Sequence, residues 1–324
     1  MNTAQAPHAV VMVRPHRFQP NPQTRADNRF QPSVPPSATL ALQARLEFDA
    51  AVDRLREAGV AVHVFDEPSA PEAPPTPDAV FPNNWFSTHA DGRVVLYPMA
   101  APNRRLERRA DILAFLGRHY QLRQLLDLSP LERQGLHLEG TGALVLDHVQ
   151  RLAYMGRSGR AHEAALQRFC ALMRYRPHAF DTADAQGVPV YHSNVLMHVG
   201  TAYAAAGLAL LPKDAERRRL RARLQSGGRQ LIELGAEQVR AFAGNALELA
   251  TPRGPLLALS ATALDALDAR QKKVFAGLGL RLLPLAVPTL EQAGGSVRCM
   301  LAGVHLPARP ARSLAAWPQA QDAQ

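Results

Sequence analysis

The sequence predicts an α/β fold made of five similar units arranged as a closed ring. Amphipathic helical stretches recur along its 324 residues, and a glycine or a polar break closes each one before a short strand-like run. The predicted helices end near residues 59, 117, 175, 235 and 279, which are 58, 58, 60 and 44 residues apart. Repetition at such a length is typical of folds that reuse one supersecondary unit. A doubly wound sheet is the alternative.

The first unit shows the pattern most clearly. Ser37 is a residue type that caps helices, and Gly59 is one that ends them. The alternation of Val60, Val62 and Val64 then predicts a half-buried strand. The residues predicted to face inward from this helix are Leu42, Leu46, Val52 and Leu55.

The other four units repeat this order of helix and strand. Helices are predicted over residues 103–117, 162–175, 214–234 and 260–279, with Asn103 and Ser260 as caps. Short strands are predicted to follow them over residues 122–128, 178–181, 239–242 and 280–287.

The bulk composition is that of an ordinary folded protein. Hydrophobic residues make up 47% of the chain and charged residues 20%, which excludes coiled-coil and low-complexity classes. The net charge of +9 suggests nucleic-acid binding, but an arginine-rich bias along the whole chain explains it without a nucleic acid. The uncharged run over residues 185–212 is broken by glycine, proline and polar residues, so it predicts buried strands. We therefore expect neither nucleic acid nor a membrane as a partner.

The cysteine content indicates a reducing environment. Two cysteines, Cys170 and Cys299, cannot build a disulfide framework. We expect a cytoplasmic protein with a single domain over residues 1–324 and a loosely ordered tail from about residue 310. The sequence leaves a homo-oligomer open.

A polar or glycine-bearing motif lies beyond each predicted helix end. Each motif contains a polar residue 19, 22, 17, 10 or 20 positions past the respective helix end: Asp78, Glu139, His192, Asn245 and Cys299. Equivalent positions of a cyclic fold meet at its axis, so these side chains are predicted to converge. A carboxylate, an imidazole and a thiol together are the components of a cysteine-nucleophile active site.

Cys299 is the predicted nucleophile, and a small core residue is the alternative. Gly294 and Gly295 permit a tight turn or the close approach of a ligand. Arg298 places a positive charge beside the thiol in sequence, which favours thiolate unless its side chain points to the opposite side. Cys170 shares an apolar helix face with Leu166, and we interpret it as structural.

His192 and Glu139 are the predicted partners of the thiol. His192 lies in an uncharged segment, where a buried imidazole serves either as a general base or as a hydrogen-bonded core residue. Glu139 opens a Glu-Gly-Thr-Gly turn, and an exposed loop residue is the alternative. The pairs His137–Glu139 and His192–His198 could also ligate zinc, but no zinc-binding spacing accompanies them.

Several segments, taken in chain order, carry a family resemblance. They are residues 12–15 with Phe18 and Asn21, 78–89, 97–99, 103–105, 107–108, 138–142, 192–195, 244–245 and 295–299. Together they resemble the guanidine-modifying superfamily with the pentein fold, which includes arginine deiminase, dimethylarginine dimethylaminohydrolase and the amidinotransferases. The most similar branch is citrulline-utilization hydrolase, also called amidinotransferase-related protein. The matches cover nearly the whole chain, and the ordered set is more specific than any single motif.

The resemblance implies a fold, an activity and three catalytic residues. The fold would be five ββαβ-type units around a pseudo-fivefold axis, with the active site at the centre and no metal or organic cofactor. Cys299 matches the nucleophile that attacks a guanidino or ureido carbon. His192 matches the general acid and base, and Glu139 matches the carboxylate of a Glu-Gly-Gly type motif, with Thr141 where the second glycine is usual.

The resemblance also implies how a small amino-acid substrate is held. Asp78 matches a carboxylate that holds the substrate's nitrogens. Arg105 and Arg160 fall near positions that would bind the α-carboxylate, although Arg104 is not distinguishable from Arg105.

Asn83 and Asn84 depart from the family pattern. Relatives that handle guanidinium commonly carry acidic residues at this place. A carboxylate at about 4 Å attracts a cation by roughly 4 kcal/mol at an effective dielectric near 20, and an amide does not. An amide keeps donors and acceptors for a neutral group. We therefore predict that the substrate is citrulline or a similar ureido amino acid, hydrolysed to ornithine, ammonia and carbon dioxide.

Two other functions remain open at this point. The first is an arginine deiminase-like or dimethylarginine hydrolase-like enzyme acting on a guanidinium group, which Asp78 and Glu139 support. The second is a noncatalytic binding protein with the same fold, against which the presence of Cys299, His192 and Glu139 argues.

Overall fold

The structure is a computed structural model that describes residues 4–32, 35–68 and 72–310. The tail predicted from about residue 310 lies, apart from residue 310 itself, outside the described residues. Fifteen strands occur in the described part of the chain: β1 (Ala9–Arg14), β2 (Ala61–Asp66), β3 (Phe86–Thr88), β4 (Arg93–Leu96), β5 (Gln124–Asp127), β6 (Val145–Asp147), β7 (Leu152–Gly156), β8 (Arg176–Phe180), β9 (Met197–Val199), β10 (Tyr203–Ala206), β11 (Gln230–Glu233), β12 (Leu247–Leu249), β13 (Leu256–Ser260), β14 (Arg281–Leu285) and β15 (Ala302–Val304).

Helices connect and precede these strands. Twelve α-helices occur in the same described residues: α1 (Ala38–Glu57), α2 (Pro102–Arg105), α3 (Ala110–His119), α4 (Gly140–Ala143), α5 (Glu163–Met173), α6 (Ser193–Leu196), α7 (Asp214–Gln225), α8 (Ala236–Arg240), α9 (Ala261–Ala266), α10 (Ala269–Gly277), α11 (Pro288–Glu291) and α12 (Val297–Met300). Short 3₁₀ turns cover Pro82–Asn84, Ser129–Gln134 and Leu208–Leu210.

The strands form five small mixed sheets, and the strands of every sheet are connected in the same way. Their orders are β15-β1-β2, β3-β4-β5, β6-β7-β8, β11-β10-β9 and β12-β13-β14. In each sheet the middle strand pairs antiparallel with one neighbour and parallel with the other. A helical connection always leads from the middle strand to its parallel neighbour, so the repeated unit is strand–strand–helix–strand. The α/β class is thereby confirmed, and closure around a pseudo-fivefold axis stays a prediction.

The long helices are spaced more evenly than the sequence pattern indicated. The last helix before each parallel strand ends at residue 57, 119, 173, 225 or 277, so successive ends are 62, 54, 52 and 52 residues apart. Ser37 caps α1 by accepting a hydrogen bond from the Leu40 amide at 3.0 Å, as predicted. Ser260 likewise caps α9 by accepting from the Ala263 amide at 3.0 Å.

Three local predictions were wrong. Leu42 and Leu46 are 47% and 54% exposed, because α1 buries the face that carries Phe48 instead. Asn103 lies inside the short helix α2 rather than capping one long helix. Helix α7 ends at residue 225, since Gly227 and Gly228 adopt positive φ values of 79° and 81° that a helix does not continue through.

That early end of α7 shifts the rest of the fourth unit. The strand β11 occupies residues predicted to be helical, and the segment predicted as a strand at 239–242 begins within α8 instead. The uncharged run at 185–212 forms β9 and β10 as buried strands, as predicted. In the part of the chain that the structure describes, no helix combines the length and apolar character needed to cross a membrane.

Candidate active site

The predicted motifs occupy equivalent places in the five sheets. Glu139 directly precedes α4 and β6, and His192 directly precedes α6 and β9. Cys299 lies in α12 before β15, while Asn245 lies in the turn before β12. Asn84 ends the 3₁₀ turn before β3. Each motif thus leads into the first, antiparallel strand of a sheet, which accounts for the regular spacing that the sequence showed.

Three of these segments line one small cavity, which we call the site cavity, and the segments of Glu139 and Asn245 do not. The site cavity is lined by Asn28, Asp78, Phe81, Asn84, Arg104, Arg160, Tyr191, His192, Ala293, Gly295 and Cys299. Cys299 and His192, far apart in sequence, therefore face the same space, as predicted.

The Cys299 sulfur accepts hydrogen bonds from two amides. Asn194 Nδ2 and Asn245 Nδ2 each lie 3.3 Å from Sγ. Cys299 is 1% exposed and belongs to an apolar core cluster, and it also borders the cavity. Two N–H groups directed at one sulfur suit an anionic form of that sulfur. Asn194 was not predicted as a site residue, although it lies in the same motif as His192.

His192 and Glu139 form a buried pair. His192 Nε2 lies 2.8 Å from Glu139 Oε2, and both residues are at most 1% exposed. Glu139 Oε1 accepts a hydrogen bond from the Ala100 amide at 3.0 Å, which fixes the carboxylate. Thr141, which replaces the usual glycine, donates to the Asn83 carbonyl at 3.1 Å and leaves this pair intact.

The charges of this pair follow from its surroundings. Burial alone would raise the pKa of Glu139, but the hydrogen bond with His192 and the charges of Arg160 and Arg104 outweigh it, so the pKa falls below its usual range. Burial lowers the pKa of His192 to about 4, although Glu139 opposes this shift. At pH 7 His192 is therefore neutral, and we assign its proton to Nε2, which faces the ionised carboxylate. The described residues form no hydrogen bond with Nδ1, which leaves that nitrogen for proton transfer.

Asp78 and Arg104 occupy the same wall of the site cavity. Asp78 Oδ2 accepts from Asn21 Nδ2 at 2.8 Å, and Oδ1 has no partner among the described residues although it is buried. Arg104 Nε lies 3.5 Å from Asp78 Oδ2, and Arg104 Nη1 lies 3.5 Å from Glu139 Oε2. Arg104 also forms a bidentate pair with Glu107, at 2.9 and 3.0 Å. Burial opposes its charge, but the three carboxylates raise the pKa of Arg104 above its usual range.

Of the adjacent arginines, Arg104 lies at the site and Arg105 does not. The Arg105 guanidinium donates to the Met99 and Ala100 carbonyls, and it lies 3.5 Å from Glu132, outside the cavity lining. The structure therefore corrects the expected placement of Arg105. Adjacent helical residues point about 100° apart, so only one of the two can face the cavity.

Arg160 lines the site cavity, and its guanidinium already holds a carboxylate. Nε and Nη2 donate to Asp27, at 2.8 and 2.5 Å, and Nη2 also donates to the Thr24 carbonyl. The Arg160 side chain is 3% exposed, whereas that of Asp27 is 45% exposed.

The two asparagines differ in their access to the cavity. Asn84 lines it, and in the amide orientation that satisfies both of its polar atoms its oxygen accepts from Arg104 at 3.0 and 3.1 Å. Its nitrogen then donates to Asn83 Oδ1 at 3.2 Å. Asn83 is fully buried behind it and is not part of the cavity lining, so the structure does not bring Asn83 to the predicted place.

The structure also shows where Arg298 and Cys170 lie and whether a metal-binding cluster is present among the described residues. The Arg298 side chain turns away from the site cavity and donates to the Leu301 carbonyl at 2.8 Å. Cys170 lies 4% exposed in the apolar core beside Phe169 and Met173, as predicted. Within residues 4–32, 35–68 and 72–310, His, Cys, Asp and Glu form no cluster of three or more that could hold a metal ion.

We expect Gly142→Ala to disrupt the site while leaving most of the fold intact. A Cβ at Gly142 would lie 2.1 Å from the Asn84 amide and 2.7 Å from His192 Nδ1, so His192 must move. A shift of about 1 Å at a reacting group can cost roughly 100-fold in rate. Gly277→Ala is the control, because its Cβ would meet no atom within 4 Å. Steady-state kinetics with thermal melts of both variants test this, and a Gly142→Ala rate within twofold of wild type would contradict it.

A comparison with protein families now identifies the chain. Residues 14–306 match the model of the family described as N,N dimethylarginine dimethylhydrolase, eukaryotic. The chain belongs to this family. It is thereby a member of the pentein guanidine-modifying superfamily, as the sequence motifs indicated, and an amidine-hydrolase-like protein. No curated protein matches the chain.

Solved pentein structures share this fold at low identity. ArgZ, an arginine dihydrolase from the ornithine–ammonia cycle in cyanobacteria, superposes with a TM-score of 0.72 and 16% identity over 93% of this chain. The match covers only 41% of ArgZ, but 98% of its N-terminal domain, which has been solved bound to substrate. A dimethylarginine dimethylaminohydrolase variant, as an adduct with S-methyl-L-thiocitrulline, matches with a TM-score of 0.60 and 13% identity over 92% of this chain and 99% of that chain. At these identities the likeness concerns the fold.

Proposed function

We propose that this pentein protein hydrolyses the ureido group of citrulline or a related amino acid, with Cys299 as the nucleophile. The observation that carries the proposal is one cavity in which a sulfur with two amide donors faces a neutral imidazole backed by an ionised carboxylate. No metal or organic cofactor enters the reaction.

The residues support a two-step hydrolysis. The Cys299 sulfur attacks the ureido carbon as Nδ1 of His192 accepts the thiol proton, and His192 then gives that proton to the departing terminal nitrogen, which leaves as ammonia. His192 next deprotonates a water that attacks the carbon–sulfur adduct and returns the thiol. The carbamate that is released loses carbon dioxide, so citrulline and one water give ornithine, ammonia and carbon dioxide. Glu139 stabilises the imidazolium in both steps, and Asp78 accepts the substrate's N–H groups.

The contact between Arg104 and Asp78 supports a neutral reacting group. Both arginines in the lining of the site cavity already pair with carboxylates, Arg160 with Asp27 and Arg104 with Glu107. Arg104 lies 3.5 Å from Asp78 and offsets part of its negative charge. A substrate cation beside Asp78 would therefore also meet the positive charge of Arg104, which a ureido group avoids.

A guanidinium substrate is the second candidate, because the buried Asp78 Oδ1 has no partner within the described chain and suits a charged N–H donor. Family membership also favours it. Measured ornithine and ammonia release decides between the two. We expect kcat/KM for citrulline to exceed that for arginine and for dimethylarginine by at least tenfold. A higher kcat/KM for either guanidinium compound would assign the second function.

The substrate's α-carboxylate is proposed to replace Asp27 on Arg160. Asp27→Asn removes the competing charge, so we expect KM to fall by about threefold with kcat unchanged, the size of an exposed ion pair. Asp111→Asn is the control, because Asp111 pairs with Arg109 on the surface in the same bidentate way. A raised KM in Asp27→Asn would mean instead that Asp27 positions Arg160 for the substrate.

The broader sequence predictions remain part of this proposal. These are a single domain whose five sheets surround the site, and a cytoplasmic location. The two free, buried cysteines are compatible with a reducing compartment.

A further inference from the structure

A second cavity lies behind the site cavity, and we call it the rear cavity. The two cavities share no lining residue. Its polar wall includes Arg298, His148, His198 and His305. Asn194, which also lines it, holds the Cys299 sulfur and so stands between the two spaces.

The charged groups of the rear cavity are all basic. No aspartate or glutamate is among its lining residues. Arg298 is half-buried and donates one hydrogen bond, from Nη1 to the Leu301 carbonyl, but it forms no ion pair with the described residues. Every other buried arginine named above pairs with a carboxylate, so Arg298 is the exception. Its Nε and Nη2 groups are available to a ligand.

In the part of the chain that the structure describes, the histidines around Arg298 also have no acidic partner. His148 and His305 stack with ring centroids 4.0 Å apart. His198 Nδ1 donates to the Gly244 carbonyl at 3.1 Å, and its buried Nε2 has no partner among the residues described. Burial lowers the pKa of all three rings, to about 4 for His198, and the charge of Arg298 lowers them further. The three rings are therefore neutral at pH 7, and the positive potential of the cavity comes from Arg298 in its lining.

We propose that the rear cavity is a binding site for a small oxyanion, held by Arg298 together with His305. The planar guanidinium donates two parallel N–H groups to carboxylate or phosphate oxygens, which is the geometry such anions prefer. A half-buried guanidinium with free donors gains more from a counter-ion than an exposed one, because little solvent screens the pair. The oxyanion is either inorganic phosphate or the carboxylate of an organic acid. The bound anion would contact Arg298, which directly precedes the nucleophile Cys299 in the sequence.

Calorimetric titration tests the site without any use of turnover. Wild-type protein is titrated with inorganic phosphate and, separately, with acetate, at constant ionic strength. We expect one site for at least one probe, and at least tenfold weaker binding in Arg298→Gln. Arg56→Gln is the control, because its guanidinium also donates to one carbonyl and lines neither cavity. If phosphate binds more tightly than acetate, the natural ligand is assigned as inorganic phosphate. If acetate binds equally or more tightly, the ligand is assigned as the carboxylate of an organic acid.

Histidine NMR locates the bound anion and does not require the Arg298 variant to fold. In wild-type protein the probe should shift the ring resonances of His148, His198 and His305 and leave that of His192 unchanged. A shift confined to His192 would place the anion in the site cavity and overturn the proposal. Unchanged affinity in folded Arg298→Gln, or no binding of either probe up to roughly 10 mM, would overturn it as well. None of these readouts depends on which substrate the enzyme hydrolyses.

Discussion

Cys299→Ala is expected to abolish turnover, to below about one part in 10⁴ of the wild-type kcat. The proposed reaction passes through a covalent bond to this sulfur, and without it the remaining groups can only orient the substrate. Its surroundings change little on substitution, because alanine keeps the Cβ within the apolar cluster and removes the sulfur, which accepts two amide N–H groups. The measurement is ornithine release, with calorimetric substrate binding to show that the variant still folds and binds.

Cys170→Ala is the matched control. Cys170 is also buried, but it packs between α5 and the sheet core, and burial raises the pKa of its thiol to about 12. We expect kcat to stay within twofold of wild type, while the lost packing costs about 1 kcal/mol of stability. Iodoacetamide should modify Cys299 and spare Cys170, and substrate should slow that modification. Comparable turnover in Cys299→Ala and wild type would remove the nucleophile from the proposal.

The repeat architecture was predictable because its signals are local. A cap such as Ser37 and a break such as Gly59 are read from a few neighbouring residues, and the repeat follows from counting between breaks. The predicted length of the fourth helix was wrong, because Gly227 and Gly228 end α7 early. The prediction of which face α1 buries was wrong for another reason. Neighbouring elements decide which of two moderately apolar faces is covered, and α1 packs against α11.

The convergence of Cys299, His192 and Glu139 was also predictable, because each lies at the same place before the first strand of a sheet. The individual contacts were not. Asn194 and Asn245 reach the sulfur from separate sheets, and Arg104 rather than Arg105 faces the cavity because of a rotation within one short helix. Such orientations depend on packing between units distant in sequence. The order of the motifs along the chain does not predict these side-chain orientations.

Glu139→Gln is expected to lower kcat by roughly 10² to 10⁴-fold, the range found when a general base or the group that orients it is lost. Glu139 holds the proton of His192 on Nε2 and offsets the charge that the imidazole acquires when Nδ1 takes the thiol proton. An amide at 139 accepts the same hydrogen bond but supplies no charge. Substrate affinity should change less than kcat, since Asp78 and Arg160 remain in the cavity.

The pH profile separates this role from a merely structural one. Activity requires neutral His192, so protonation of the imidazole is what removes the base at low pH. With the His192 pKa lowered to about 4, wild-type kcat/KM should stay level from about pH 7 to pH 5 on account of this group and fall as the pH drops through about 4. Because Glu139 raises the His192 pKa, its loss should move that fall to still lower pH.

Glu132→Gln provides the control for this profile. Glu132 likewise accepts a backbone hydrogen bond, from Met99 at 2.8 Å, and pairs with an arginine, Arg108 at 2.6 Å, but it lies outside the site cavity. Its substitution should lower stability without moving the acidic limb. If Glu139→Gln instead keeps the wild-type kcat, or if its acidic limb moves to higher pH, the carboxylate does not support the imidazolium. His192 would then need another partner for proton transfer, and the two-step hydrolysis would have to be reassigned.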